Sequence, residues 1–389
     1  MENQNASLSR QYDIDWIRVL ATMGVFLYHC SMFFNPFPWH VKNNHLDSSS
    51  ILVFSLFVGA WIMPIFLAIS GSNVSFALKK RQTSAYLKER LIRLGVPLVF
   101  GVFILTPPQI FMERMANNQF SGTFLEFLPH YFDGIYLDFG GTGNFAFFGL
   151  HLWYLLVLLV FSFITLPLFK KAPNGRTFGI THLYLLPILL FVTGLIKTQG
   201  LGGWDLVFYL VILIYGYYFF SSSAFKPILK STINYHFILA IITTAIYIVW
   251  FMKSFTQPGS VEGMIFYLVR TVNCWSLLLC IFFLADKYLS FSNGFLKYAS
   301  EASMPFYVLH QPVIVFLGFF IRDLSWSIPV KLIFLVPVSF ILIIICYHFI
   351  IRRVQFLRFT FGMKGHANKS VTFSKNKGVN IHENPANKN

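Results

Sequence analysis

Residues 14–34 read IDWIRVLATMGVFLYHCSMFF. The run is long enough to cross a bilayer, which takes about 20 mainly apolar residues. It nevertheless carries Asp15, Arg18 and His29. An ionisable side chain inside a spanning helix costs roughly 2.5–3.5 kcal/mol on the insertion scale, so it marks a functional or paired site by default. Arg18 and His29 are eleven positions apart. At about 100° and 1.5 Å per residue they share a face to within roughly 20° and lie about 16 Å apart along the axis. Asp15 sits one turn before Arg18 and can pair with it. The helix thus presents one polar stripe, charged at its start and ending in an imidazole deep in the bilayer. A neutral imidazole there can take a proton from a hydroxyl. A guanidinium near the membrane surface can hold a phosphate or carboxylate. The alternative reading is a snorkelling Arg18 and a hydrogen-bonded, structural His29. No small-residue cleavage site follows the run, which therefore reads as a retained helix rather than a signal peptide.

The rest of the 389-residue chain has the same character. Hydrophobic residues make up 56% and charged residues 12%, against about 25% charged in a soluble chain. Lipid must solvate most of it. Candidate spans are 14–34, 51–70, 94–112, 149–169, 181–197, 204–221, 235–251, 265–284, 303–321 and 330–350. The expected fold is an all-α integral membrane protein with about ten transmembrane helices. The fifth and sixth spans are separated only by a short Gly-rich link, Thr198 to Gly203. Residues 1–355 form the membrane domain, and 356–389 are a polar tail whose Asn- and Lys-rich composition is that of a disordered segment.

The net charge of +15 is not a nucleic-acid footprint, because the basic residues lie in short loops and in the tail. One set of loops carries Lys79, Lys80, Arg81, Lys88, Arg90, Arg93, Lys170, Lys171, Arg176, Lys226, Lys230, Lys287, Lys297, Arg352, Arg353 and Arg358. The other set carries Lys42, Arg114, Lys253 and Arg322, with Lys197 at a helix end. The basic set is assigned to the cytoplasm, which puts both termini inside. The longest external loop, Glu113 to Phe148, is read either as a lid or acceptor-binding element or as a solvated connector. Cys30, Cys274, Cys280 and Cys346 lie within apolar runs without metal-ligand spacing, so neither disulfides nor a metal site is expected.

The pattern Asp15-Trp-Ile-Arg18 followed by ten residues and His29 resembles the opening of the acyltransferase type 3 membrane family. Four further stretches match in order. Phe66-Leu-Ala-Ile-Ser70-Gly71 resembles the family's Ser-Gly ending of the second helix. Tyr86-Leu-Lys-Glu-Arg90-Leu-Ile-Arg93-Leu-Gly-Val-Pro97 resembles its Arg-x-x-Arg-Leu-x-x-Pro start of the third. His151-Leu-Trp153-Tyr154-Leu resembles its His-x-Trp-Phe-Leu signature, with Tyr154 in place of Phe. Ser303-Met-Pro-Phe-Tyr307-Val-Leu-His310-Gln-Pro312 resembles its late Tyr-x-x-His-x-Pro helix. Softer cues, Trp39-His40-Val41 and Leu105-Thr-Pro-Pro-Gln109, lean toward the branch that modifies osmoregulated periplasmic glucans.

The resemblance implies a multi-pass inner (plasma) membrane enzyme. It would move an acyl group, succinyl or acetyl, from a cytoplasmic acyl-coenzyme A to a hydroxyl of an envelope glycan. No bound cofactor is implied, and acyl-CoA is the donor substrate. His29, Arg18 and Asp15 then become the catalytic candidates. Arg90 and Arg93, one turn apart, can engage phosphates together and are the donor-binding candidates. The spacing from Arg18 to His29 is comparable to an extended pantetheine arm. Ser70, His151, Trp153, Tyr307 and His310 are possible supports, and Ser70, Tyr307 and His310 are the candidates for stabilising the oxyanion. Pro97, Pro305 and Pro312 would shape helix starts or kinks. The competing reading is a transporter or exporter of a lipid or glycan intermediate, which intramembrane charge also suits; a non-catalytic scaffold is a third. The topology is directly testable. Reporter fusions after Lys80, Lys171, Lys230 and Lys297 should report cytoplasm and fusions within 117–145 the outside; a cytoplasmic signal from that loop overturns the orientation.

Overall fold

A computed structural model describes residues 11–172, 179–196, 198, 200–254, 257 and 259–364. Arg176, Lys197 and the tail from residue 365 lie outside the described residues. Seven helices are long and apolar enough to cross a membrane. These are α2 (Ser50–Lys80), α3 (Thr83–Ala116), α4 (Leu150–Lys171), α7 (Phe225–Lys253), α8 (Val261–Tyr288), α9 (Gly294–Ile321) and α10 (Ile328–Ile351). The first candidate span is α1 (Tyr12–Met32), set apart from the seven by Asp13, Asp15 and Arg18. The fifth and sixth are the shorter α5 (Thr181–Thr193) and α6 (Leu206–Phe220). At 1.5 Å per residue, α5 reaches only about 20 Å. A two-residue antiparallel hairpin pairs Gly200 and Leu201 with Asp205 and Trp204 between them, and it is the only sheet among the described residues.

Several helices outrun the apolar stretches that mark them. α7 begins ten residues before the expected 235, because Lys226, Lys230, Thr232 and Asn234 continue a helical backbone beyond the hydrophobic run. α3 begins eleven residues before 94 and carries π-helical turns at Leu91–Gly95 and Gly101–Leu105. The ordered chain also enters the expected tail. Gln355–Thr360 is a short helix, α11, and the carbonyl of Gly362 accepts from Arg93 Nε at 3.2 Å.

Charged contacts gather at the two ends of the bundle. At one end Lys226 at the start of α7 meets Asp13 of α1 and Asp286 of α8. There too Glu301 of α9 meets Arg352 and Arg358. At the other end the fully buried Lys331 of α10 donates to Asn43 at 2.7 Å, Asn44 at 3.0 Å and the Arg322 carbonyl at 2.8 Å. Of the basic set assigned to one compartment, Lys80, Arg81, Arg90 and Arg93 line one cavity, and Lys226, Arg352 and Arg358 are held by acidic partners.

α2 and α6 cross with their backbones in close approach. Lipid gives helices no hydrophobic reason to associate, so close backbone packing carries weight. Ser72 Oγ donates to the Gly216 carbonyl at 3.0 Å. A Cβ on Gly216 would collide with the Ala68 carbonyl oxygen, and one on Gly71 would collide with that of Leu213. Both obstacles are backbone and cannot swing away. Overpacking of this kind typically costs 1–3 kcal/mol, so Gly216→Val should destabilise by at least about that much. The expected result is a melting temperature in detergent several degrees below wild type; an unchanged Tm would mean the helices do not cross this closely.

Candidate active site

The polar stripe of α1 meets α9. His29 Nδ1 lies 2.7 Å from His310 Nε2, with ring centroids 4.8 Å apart. His310 Nδ1 lies 2.5 Å from the carbonyl oxygen of Tyr307, one turn earlier. α4 joins through the proline of α9. Pro312 has no N–H, so the carbonyl four residues back, that of Val308, loses its helical donor. His151 Nε2 takes it at 3.1 Å. The Tyr307 hydroxyl returns the contact by donating to the His151 carbonyl at 2.5 Å. The His151 and His310 rings meet edge to face at 5.1 Å. Four of the sequence candidates, His29, His151, Tyr307 and His310, therefore form one knot tying α1, α4 and α9.

A cavity of about 450 Å³ approaches this knot from the end of the bundle that holds Asp13, Lys226 and Asp286. Arg18, Arg81, Arg90, Arg93, Lys80 and Lys364 line its mouth, and Ser70, Tyr154, Met304 and Tyr307 its inner part. Arg18 pairs with Asp15 at 3.1 Å, as their spacing on α1 requires. Arg93 is held by Glu89 at 3.4 Å and by the Gly362 carbonyl, and Arg90 lies over the Tyr86 ring at 5.2 Å. Ser70 Oγ and Tyr154 Oη are 2.8 Å apart, and the Tyr154 hydroxyl also reaches the Phe66 carbonyl at 3.3 Å. The hydroxyl by which Tyr154 departs from the family signature is thus engaged. His29 itself does not line the cavity; Tyr307 stands between, its ring 5.6 Å from that of His310. Trp153 packs away from the cavity against Tyr209, with ring centroids at 5.7 Å.

A second network, which the sequence did not disclose, lies on the opposite side of the knot. Gln311 follows His310 and donates to His40 Nε2 at 3.0 Å and to Gln109 Oε1 at 3.1 Å. His40 Nδ1 donates to Glu113 at 2.5 Å. The Glu113 carboxylate is 0% exposed. It also accepts from the Tyr136 hydroxyl at 2.9 Å, the Gly140 N–H at 2.8 Å and Arg114 at 3.3 Å. Burial beside this carboxylate pushes the Tyr136 phenol up, which keeps it a donor. Arg114 holds the same loop through the Gly143 carbonyl at 2.7 Å and Asn144 at 2.8 Å. Trp39, next to His40, faces the His29 ring at 6.3 Å in a near-parallel arrangement. The long loop is therefore clamped over the knot rather than left as a free connector. The available signal was Glu113 and Arg114, two charges directly following an apolar run.

A polar knot beside a basic-mouthed cavity thus lies inside a bundle of apolar helices. The chain belongs to the acyltransferase type 3 family: the family model, an acyltransferase domain, matches residues 11–348. With its seven apolar helices it is a multi-pass membrane protein. It is similar to glucans biosynthesis protein C of Escherichia coli O81 (strain ED1a), at 23% identity over 91% of this chain and 95% of that protein. The proteins of the same name from Escherichia coli (strain K12 / DH10B) and Escherichia coli (strain K12) show the same 23% identity and the same coverage. No solved structure matches the chain.

The outer clamp generates a prediction. Glu113→Leu leaves His40, Tyr136 and the Gly140 N–H without their acceptor, at a cost of about 1–3 kcal/mol for each buried group left unsatisfied. Protease added from the loop side should cut within 117–145 faster in Glu113→Leu than in wild type. Equal cutting rates would show that the carboxylate does not hold the loop.

Proposed function

We propose that this chain is an O-acyltransferase that moves an acyl group, succinyl or acetyl, from a cytoplasmic acyl-CoA donor to a hydroxyl of an envelope glycan. The observation that carries the reading is the cavity. It begins among arginines and ends at Tyr307, against the histidine knot. Arg90, Arg93 and Arg18 would hold the donor's phosphates at the mouth, while the apolar wall takes the pantetheine arm. The reading takes ten spans with both termini cytoplasmic, supported by the arginines and lysines at the cavity mouth. The inner membrane follows from the need for cytoplasmic donor and envelope acceptor at one protein. The glycan acceptor rests on the relatives' name and on the branch cues in the sequence.

In this mechanism His29 accepts the proton of the acceptor hydroxyl. The oxygen attacks the thioester carbonyl, a C–O bond forms, the C–S bond breaks, and the proton passes to the departing thiolate. The developing oxyanion needs a donor. The Tyr307 hydroxyl is spent on the His151 carbonyl and both His310 nitrogens are engaged. Ser70, at the cavity wall, can serve once its hydrogen turns from the Tyr154 hydroxyl to the oxyanion. For the acyl-CoA to reach His29, Tyr307 must move aside, and the acceptor arrives from the side of Trp39 and the clamped loop.

Arg90→Ala with Arg93→Ala should weaken acyl-CoA binding by roughly 1.5–3 kcal/mol for each charge-assisted hydrogen bond removed. His29→Gln should leave that affinity intact and abolish turnover. Titration of acyl-CoA onto the purified protein, followed by transfer assays in reconstituted membranes, reads both. Unchanged affinity in the arginine variant removes the donor site. An exporter of a lipid or glycan intermediate would bind no acyl-CoA at all.

A further inference from the structure

An imidazole has two nitrogens, and its neighbours decide which one carries the proton in the neutral ring. At His310 the choice is forced. Its Nδ1 lies 2.5 Å from the Tyr307 carbonyl oxygen, and a carbonyl oxygen only accepts, so Nδ1 bears the hydrogen. Nε2 of the neutral ring is then a lone pair. That lone pair faces His29 Nδ1 at 2.7 Å, so His29 must be the donor in this bond. The proton of His29 is therefore held on Nδ1 and its own lone pair lies on Nε2. Among the described residues no protein group hydrogen-bonds to His29 Nε2. His310 is 1% exposed, whereas His29 is only partly buried.

We infer that His310 is a positioning residue that fixes His29 as the Nδ1–H tautomer, making Nε2 the atom that takes the acceptor's proton. The inference rests on the reading of His29 as the general base. The order is Tyr307 carbonyl, His310 Nδ1–H, His310 Nε2, His29 Nδ1–H, His29 Nε2. The acceptor O–H bond breaks, a His29 Nε2–H bond forms, and the same proton later leaves to the thiolate. While His29 is charged, its Nδ1–H stays bonded to His310, so the base does not rotate between the two proton transfers. A free imidazole prefers its proton on Nε2. Without His310, His29 would point a donor, not a lone pair, at the acceptor hydroxyl.

The test uses the full chain in reconstituted membranes, with imidazole ¹⁵N labelling and His29→Gln to assign the His29 signals. Wild type should show His29 protonated at Nδ1 and bare at Nε2. His310→Ala should shift His29 toward the Nε2–H form and lower kcat by at least about 10²-fold, the lower end of what a positioned general base contributes, with KM for acyl-CoA unchanged. His310→Gln places Oε1 where Nε2 was, keeps an acceptor for His29 Nδ1–H, and should restore both the tautomer and most of kcat. Wild-type His29 protonated at Nε2, a His29 tautomer indifferent to His310→Ala, or equal losses in His310→Ala and His310→Gln would each overturn the inference. Full turnover in His29→Gln would instead bring down the reading of His29 as base, and the spectra would still judge what His310 does to its partner.

Discussion

The hydrogen bond between His29 and His310 is the contact on which the rest of this bundle turns. A polar nitrogen in the hydrocarbon layer finds no water, and an unpaired one costs several kcal/mol. His29 therefore needs a partner, and the partner is 281 residues away on α9. His310 in turn needs an acceptor and takes the carbonyl of its own helix. α4 is drawn in because Pro312 strips Val308 of its donor and His151 replaces it. Three helices distant in sequence are held by a chain of polar contacts, with His151 Nδ1 left without a hydrogen-bond partner among the described residues.

On either side of this knot the polar groups are handled differently. Toward the basic loops they line a cavity, where arginines such as Arg90 and Arg93 can reach a ligand. On the far side Glu113, His40, Gln109 and Gln311 are bonded to one another and sealed by the loop that Arg114 pins. A buried carboxylate is tolerable when several donors converge on it. Lys331, buried with three oxygens around its ammonium, shows the same solution with the opposite sign. Between the open and the sealed side stands the knot, with Tyr307 as its wall on the cavity side.

Much of this was legible in the sequence where the signal is local. Arg18, Asp15 and His29 lie on one helix, so their shared face and the Arg18–Asp15 pair follow from periodicity. The apolar runs mark the helices because bilayer thickness sets their length, but not where they end, as Lys226 and Lys230 in α7 show: hydropathy registers lipid, whereas the backbone continues into polar surroundings. Long-range pairings stayed hidden. Nothing near His310 names His29, and Glu113 fell to a loop because the apolar run stops one residue before it. The crossing of Gly71 with Gly216 pairs glycines 145 positions apart on separate helices, a relation that no spacing motif within one helix records.

The π-helical turns of α3 have a consequence for how one helix serves both sides. Arg90 precedes both turns and Glu113 follows them. In an uninterrupted α-helix, 23 residues at about 100° each would leave the two side chains roughly 140° apart around the axis. Each π turn absorbs about one extra residue, or roughly 100° of rotation. Two of them bring Arg90 and Glu113 to within about 60°, so the cavity mouth and the outer clamp both face the bundle interior. α3 is phased like a camshaft, its two lobes timed by the surplus residues between them. Its length in residues, rather than its hydrophobicity, keeps the cavity mouth and the sealed end in step.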